Sequence, residues 1–174
     1  MSELVAAIFS NMAAFLKHLF LLTLSAASIS VVFSCPNGFV RHDDSCYKVF
    51  PEKATWPEAE AYCKDFGLSL AKVESQREHD FLKGYVTSLK ALYPGNVDFW
   101  LDGTNMLSGD WIWASTGQPI TQFFWHQGEP NNLSPGERCL SMHADYSWDD
   151  EHCSYSEAFI CEVDAGVNPG GLFG

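Results

Sequence analysis

The chain has 174 residues, a formal net charge of −12, and a content of 47% hydrophobic and 14% aromatic residues. This composition predicts one globular domain with a leader and excludes a disordered chain. The acidity argues against nucleic acids and anionic membranes as partners, because both need a basic surface, and it is compatible with cation binding.

Residues 1–34 have the pattern of a secretory signal peptide. A lysine precedes the apolar run 19–34, which several serines dilute, so that the run is too short and too polar for a membrane span of about twenty apolar residues. We therefore expect cleavage after Ser30 or Ser34 and a secreted, extracellular protein. The alternative is an uncleaved membrane anchor, which the absence of a stalk before Cys35 disfavours.

A strand followed by two helices is predicted in the first half of the domain. Residues 46–50 alternate loosely between apolar and polar, which favours a strand. Thr55-Trp56-Pro57-Glu58 is a capping box, so a helix should begin there and run to about Phe66. A second capping box begins at Ser75 and opens a helix with an apolar face formed by Phe81, Leu82, Tyr85, Val86 and Leu89.

The second half of the domain is predicted to consist of strands and loops. From Phe99 onward, short segments rich in tryptophan are separated by Gly, Pro and Asn. Two helices followed by a strand-rich half define an α+β domain, which we place at residues 35–163. Residues 164–174 are rich in glycine and are predicted to be a disordered tail.

Six cysteines predict a disulfide framework, because an even number is typical of domains in an oxidising compartment. A zinc site is disfavoured by the absence of any Cys-x-x-Cys motif. Spacing does not decide among the many pairings that six cysteines allow. It suggests one local pair, one pair beneath a loop and one long-range pair: Cys35–Cys46, Cys139–Cys153 and Cys63–Cys161.

An acidic stretch near the C-terminus carries the candidate metal ligands. Proline, glycine and asparagine interrupt it, so it should form a shaped loop system. Oxygen ligands at irregular spacing suit Ca²⁺, and the spacing is not that of an EF-hand. A cis bond before Pro130 would turn the side chains on either side toward one point. The alternative is an acidic surface loop without a ligand. The five candidate ligands of Ca²⁺ are Glu129, Asn131, Glu137, Asp149 and Asp150.

These motifs resemble those of the C-type lectin domain family. The family's sugar-binding calcium site uses a Glu-Pro-Asn triplet, a later Glu and a Trp-Asn-Asp triplet. Three further segments resemble strands of that fold: Trp100-Leu101-Asp102-Gly103, Trp111-Ile112-Trp113 and Phe159-Ile160-Cys161-Glu162. The resemblance covers residues 35–163, supports the three cysteine pairs suggested above, and is greatest to secreted, single-domain invertebrate lectins of the perlucin type. It implies two helices, antiparallel sheets and a long calcium-binding loop.

The resemblance also implies that the five calcium ligands bind a sugar. In the family, Glu-Pro-Asn accompanies sugars with equatorial 3- and 4-hydroxyls, so we expect glycans of the mannose, fucose or N-acetylglucosamine type. Asp149 departs from the family's pattern, in which an asparagine stands at this position. A carboxylate keeps a metal oxygen and loses an NH₂ donor, so this difference bears on the sugar preference rather than on the calcium site.

The predicted function is that of a secreted, calcium-dependent lectin in innate glycan recognition. The alternative is an acidic interaction protein associated with matrix or biomineral. An enzyme is not predicted, because the acids are committed to metal and no Ser-His-Asp or Cys-His arrangement is suitably spaced. The oligomeric state stays open, and a homo-oligomer is compatible with the sequence.

Overall fold

The computed structural model describes residues 34–92, 97–133 and 136–167. Residues 1–33 of the predicted signal peptide and residues 168–174 of the predicted tail lie outside the described residues. The elements follow the order β1 Val40–His42, β2 Ser45–Ala54, α1 Trp56–Asp65, β3 Ser69–Leu70, α2 Gln76–Leu89, β4 Phe99–Thr104, β5 Ile112–Trp113, β6 Glu137–Met142, β7 Trp148–His152 and β8 Glu157–Asp164. This order confirms the α+β class.

The strands form one connected sheet with the order β1-β2-β8-β4-β6-β7, while β3 pairs with β8 and β5 with β4. Its pairs are antiparallel except for β4 and β8, which are parallel. The parallel pair departs from the antiparallel sheets that we predicted. It is allowed because a long connection separates β4 from β8 in the chain, so no hairpin dictates their relative direction.

Both helices begin at the predicted caps. The backbone N and Oγ1 of Thr55 donate to Glu58 Oε2 at 2.9 and 2.7 Å. Ser75 Oγ accepts from Glu78 N at 3.2 Å, but the Glu78 carboxylate does not complete the predicted box. It accepts instead from Glu74 N at 2.7 Å and from the Tyr47 hydroxyl. Glu78 therefore ties α2 to β2 through Tyr47, a contact that local sequence could not predict.

Tryptophan side chains are part of the core. Trp56, Trp100 and Trp148 are at most 4% exposed. The indole N–H groups of Trp56 and Trp100 donate to Leu101 O and Ala54 O, both at 2.8 Å. These bonds satisfy the polar edge of each buried ring, and the Trp56 bond also fastens α1 to β4.

Three disulfides link the elements, and they are the pairs that the sequence suggested: Cys35–Cys46, Cys63–Cys161 and Cys139–Cys153. Cys63–Cys161 joins α1 to β8 across a sequence separation of 98 residues. In the chain-entropy model a bridge of this span stabilises the fold by about 4–5 kcal/mol. Cys139–Cys153 links β6 to the residue after β7, so it braces the two strands that carry the candidate site.

Candidate functional site

A buried tryptophan fastens the loop that carries the candidate ligands. We call residues 124–133 the acidic loop. His126 N donates to Trp148 O at 2.7 Å, and Trp148 N donates to Phe124 O at 2.8 Å. The rings of Phe124 and Trp148 also pack with centroids 5.0 Å apart. The loop is thereby held beside Trp148 at the start of β7, where Asp149 and Asp150 follow.

The Glu-Pro-Asn triplet is folded over the Asp150 carboxylate. The Glu129–Pro130 peptide is cis. Asn131 N donates to Asp150 Oδ1 at 2.8 Å, and Asn132 N donates to Asp150 Oδ2 at 2.9 Å. Asn131 Nδ2 donates to Glu129 Oε1 at 2.7 Å. Asp150 therefore organises the loop backbone, while Asn131 links Glu129 to the same point.

Three carboxylates converge at this place. Glu129, Asp149 and Asp150 each offer one oxygen, and these oxygens lie within 4.8 Å of one another. Burial and the neighbouring Glu129 carboxylate raise the pKa of Asp150 above its ordinary value, although the N–H groups of Asn131 and Asn132 lower it. Such crowding of like charges is relieved by a cation.

Two buried oxygens of the predicted ligands lack a hydrogen-bond partner among the described residues. They are Glu137 Oε2 and Asp149 Oδ1. A buried acceptor without a partner costs free energy, which a bound cation would offset at Asp149. Together with the oxygen-only donor set, these atoms fit Ca²⁺.

The five predicted ligands are not equally placed. Glu129, Asn131, Asp149 and Asp150 come together, through the converging oxygens and the hydrogen bonds of Asn131. Glu137 begins β6, where it pairs with His152, and within the described part of the chain its carboxylate is not a member of the converging group. The one structural observation that supports Glu137 as a ligand is its buried Oε2, which has no hydrogen-bond partner among the described residues.

A histidine that the sequence did not single out contacts the site. His143 Nε2 lies 2.8 Å from Asp149 Oδ2, and the ring is also close to Asp98 and Glu151. Burial lowers the pKa of His143, but Asp98, Asp149 and Glu151 outweigh it and raise the pKa above its usual value. Burial, together with Asp149 and Asp98, raises the pKa of Glu151 to about 7.

The pairing register of β6 and β7 explains why His143 lies beside Asp149. Ser141 is opposite Asp149 and Met142 is opposite Trp148, so His143 comes diagonally beside Asp149. Acids at alternate positions of β7 place Asp149 and Glu151 on one face of the strand. Spacing along the chain does not reveal this contact, because strand register is a long-range property.

The aromatic residues before the Glu-Pro-Asn triplet pack rather than form an open platform. Phe124 and Trp125 lie against the core, and Trp125 contacts Trp111 with ring centroids 5.2 Å apart. His126 has a half-exposed side chain, and its Nδ1 lies 3.1 Å from Asp145 Oδ2 and 3.0 Å from Ser147 Oγ. Their main role is to support the acidic loop.

The family model described as the Lectin C-type domain matches residues 52–163. The chain therefore belongs to the C-type lectin domain family, and its fold is that of a carbohydrate-recognition domain. The lectins of this family bind carbohydrates and are not enzymes, in agreement with the prediction from the sequence.

Three curated relatives illustrate the breadth of the family. Perlucin from Haliotis laevigata is 32% identical over 133 residues, which cover 74% of this chain and 82% of perlucin. A C-type lectin from Cerberus rynchops is 34% identical over 136 residues, with coverage of 74% and 83%. The low affinity immunoglobulin epsilon Fc receptor of Mus musculus is 31% identical over 130 residues, which cover 74% of this chain but only 37% of the receptor.

Solved structures with the same fold include a calcium-independent and a Ca²⁺-dependent type II antifreeze protein. The carbohydrate-recognition domain of the mouse scavenger receptor C-type lectin has a TM-score of 0.67 and 26% identity, covering 76% of this chain and 99% of that domain. The cow CD23 domain, determined in the presence of a GlcNAc2Man3 oligosaccharide, has a TM-score of 0.67 and 25% identity, with coverage of 76% and 97%. A calcium-independent type II antifreeze protein has a TM-score of 0.64 and 29% identity, with coverage of 78% and 98%. The fold alone therefore does not establish calcium binding.

Within residues 34–92, 97–133 and 136–167, no helix has the length and apolar character needed to cross a membrane.

Proposed function

We propose that this protein is a secreted, calcium-dependent lectin that binds glycans of the mannose, fucose or N-acetylglucosamine type. The observation that carries the proposal is the convergence of Glu129, Asp149 and Asp150 oxygens within 4.8 Å of one another. Asn131 is hydrogen-bonded to Glu129 and Asp150, and Asp149 Oδ1 is buried without a partner among the described residues. This arrangement leaves negative charge unbalanced in a place where a divalent cation would balance it.

The ligands of Ca²⁺ would be the five residues predicted from the sequence, Glu129, Asn131, Glu137, Asp149 and Asp150. Bound Ca²⁺ supplies open coordination positions for two neighbouring sugar hydroxyls. The side chains around it decide which hydroxyls fit. Glu129 and Glu137 can only accept a hydrogen bond from a sugar hydroxyl, whereas the Asn131 amide can donate one. Hydrogen-bond donors and acceptors at fixed positions would distinguish between sugars whose two neighbouring hydroxyls have different orientations.

Two features bear on the sugar preference in opposite ways. Glu129-Pro130-Asn131 is the triplet that accompanies equatorial 3,4-diols in the family, and two solved relatives were determined with a mannose-containing oligosaccharide and with an N-glycan. Asp149 has no amide donor, so it offers the sugar one hydrogen bond fewer than an asparagine would. We therefore expect mannose-type binding with weakened discrimination against galactose.

Secretion and a role in innate glycan recognition complete the proposal. Three disulfides are typical of domains that fold in an oxidising compartment, which supports an extracellular location. A second candidate function is an acidic interaction protein of matrix or mineral, which the net charge of −12 favours. Such a protein would bind surfaces through its total charge and would not need a site that distinguishes monosaccharides.

Chromatography on immobilised mannose tests the proposal. We expect the purified protein to be retained in Ca²⁺ and released by EDTA or by free mannose, and to a smaller extent by free galactose at the same concentration. Glu129→Gln should abolish retention. Glu52→Gln, at an exposed position of β2 away from the loop, is the matched control and should behave as the original protein.

Undiminished retention in excess EDTA would contradict the calcium-dependent site. Retention that free mannose does not reverse, together with tight binding to calcium mineral, would favour the second candidate.

A further inference from the structure

We propose that His143 is a positioning residue of the cation site, which holds Asp149 through one carboxylate oxygen and leaves the other for the metal. This inference rests on the proposed function and deepens it. It concerns a residue that lies outside the predicted ligand set and outside the acidic loop.

The geometry places the imidazole and the carboxylate in direct contact. His143 N donates to Ser147 O at 2.8 Å, which closes the turn between β6 and β7 and brings His143 beside Asp149. The side chains then meet, with His143 Nε2 2.8 Å from Asp149 Oδ2. An ionised carboxylate can only accept, so Nε2 must carry the proton and donate it.

The other carboxylates near His143 do not compete for this hydrogen bond. Asp98 Oδ1 lies 3.9 Å from Nδ1 and Glu151 Oε1 lies 4.0 Å from Nε2, and both distances exceed that of a hydrogen bond. Asp98 Oδ1 already accepts from Ala144 N at 3.0 Å. Asp149 is therefore the acceptor that His143 Nε2–H engages.

The two oxygens of Asp149 have different partners. Oδ2 receives the imidazole N–H, whereas Oδ1 is buried and has no hydrogen-bond partner in the described part of the chain. A hydrogen bond at one oxygen restricts rotation of the carboxylate and offsets part of its charge. The second oxygen is then oriented and available for a cation. Partners of this kind are worth about 10–100-fold in metal affinity at other sites.

This chain has aspartate at position 149, where the family has asparagine. The difference explains why a donor such as His143 is needed at this position. An asparagine has one oxygen, which can bind a cation while its NH₂ group points away, so it needs no donor beside it. Aspartate brings a second acceptor and an extra negative charge, which His143 satisfies. The importance of His143 for calcium affinity should therefore depend on Asp149.

A double-mutant cycle measures this dependence. Calcium affinity is determined by isothermal titration calorimetry, without sugar, for the original protein, His143→Ala, Asp149→Asn and the double variant. We expect His143→Ala to weaken calcium binding about tenfold in the original protein and less than about twofold when Asp149→Asn is present. His143→Gln, which keeps an N–H donor, should recover part of the loss.

His42→Ala is the matched control, because His42 lies in β1, at the opposite edge of the sheet from β6 and β7, and its charged neighbour is Asp43 rather than Asp149. Thermal unfolding in EDTA checks that each variant folds. An equal loss of affinity in both backgrounds, or no loss in either, would overturn the positioning role while calcium binding by the original protein stands. Failure of the original protein to bind Ca²⁺ would overturn the proposed function and this inference together.

Discussion

The sheet core and the acidic loop are stabilised by different interactions. Around Trp100 and Phe159 the core is almost fully buried, and the Cys63–Cys161 disulfide crosses it. The acidic loop depends on a few hydrogen bonds to Asp150 and on its attachment to Trp148. Apolar burial and a covalent bond do not depend on a cation, whereas converging carboxylates repel one another unless a cation or protons neutralise them. We therefore expect folding and binding to fail separately in this domain.

The largest effect on stability is expected from removing the disulfide that crosses the core. Replacing both Cys63 and Cys161 by alanine removes the bridge across 98 residues, which should lower the free energy of unfolding by about 4 kcal/mol. Urea denaturation measures the change. The matched control removes Cys35–Cys46, whose separation is 11 residues, and should cost about 3 kcal/mol or less. Equal losses from the two bridges would contradict the loop-length explanation.

A change at Asp150 should separate binding from folding. Asp150→Asn keeps the shape of the side chain but removes one carboxylate from the converging group and the acceptor of one loop N–H, so we expect calcium affinity to fall by about 100-fold, or about 2.7 kcal/mol. The free energy of unfolding in EDTA should change by less than about 1 kcal/mol, because the variant also relieves repulsion between Asp150 and Glu129. Calorimetry and urea denaturation give the two values.

A loss of stability in EDTA as large as the loss of calcium affinity would show that the loop and the core are not separable at Asp150.

The smallest effect is expected from lowering the pH. A lower pH should stabilise the sheet core and weaken cation binding at the acidic loop. Burial raises the pKa of Asp102 to about 6 and that of Glu162 to about 7. A carboxyl whose folded pKa exceeds its unfolded value binds its proton more tightly when folded, so stability is lost as pH rises through this range and regained as pH falls. Between pH of about 8 and 5.5 we expect a gain on the order of 1–2 kcal/mol in EDTA.

Over the same range the sugar site should weaken, because protons compete with Ca²⁺ for its carboxylates. Column retention measured against pH, with denaturation in parallel, checks both trends. Asp102→Asn supplies the control for the core and should flatten part of the pH dependence without altering retention. Retention that persists unchanged at pH of about 4 would contradict a site built from carboxylates.

Local sequence predicted the parts of the fold that depend on neighbouring residues. Thr55 and Ser75 begin the two helices because a cap acts within four residues of the chain. The same holds for the Glu-Pro-Asn triplet, whose side chains are brought together by the turn at Pro130. The pairing of the six cysteines was also predictable, but only because the family resemblance supported what spacing left open.

Local patterns in the chain were enough to predict the α+β class, the two helix starts and the segment that supplies the acidic ligands. Long-range packing, by contrast, makes β4 and β8 parallel, brings Glu78 to the Tyr47 hydroxyl and places His143 Nε2 2.8 Å from Asp149 Oδ2. The two sets differ in how far apart in the chain the interacting residues are. Caps and turns are set by residues adjacent in the chain, whereas strand register and side-chain contacts across the sheet depend on how distant segments pack.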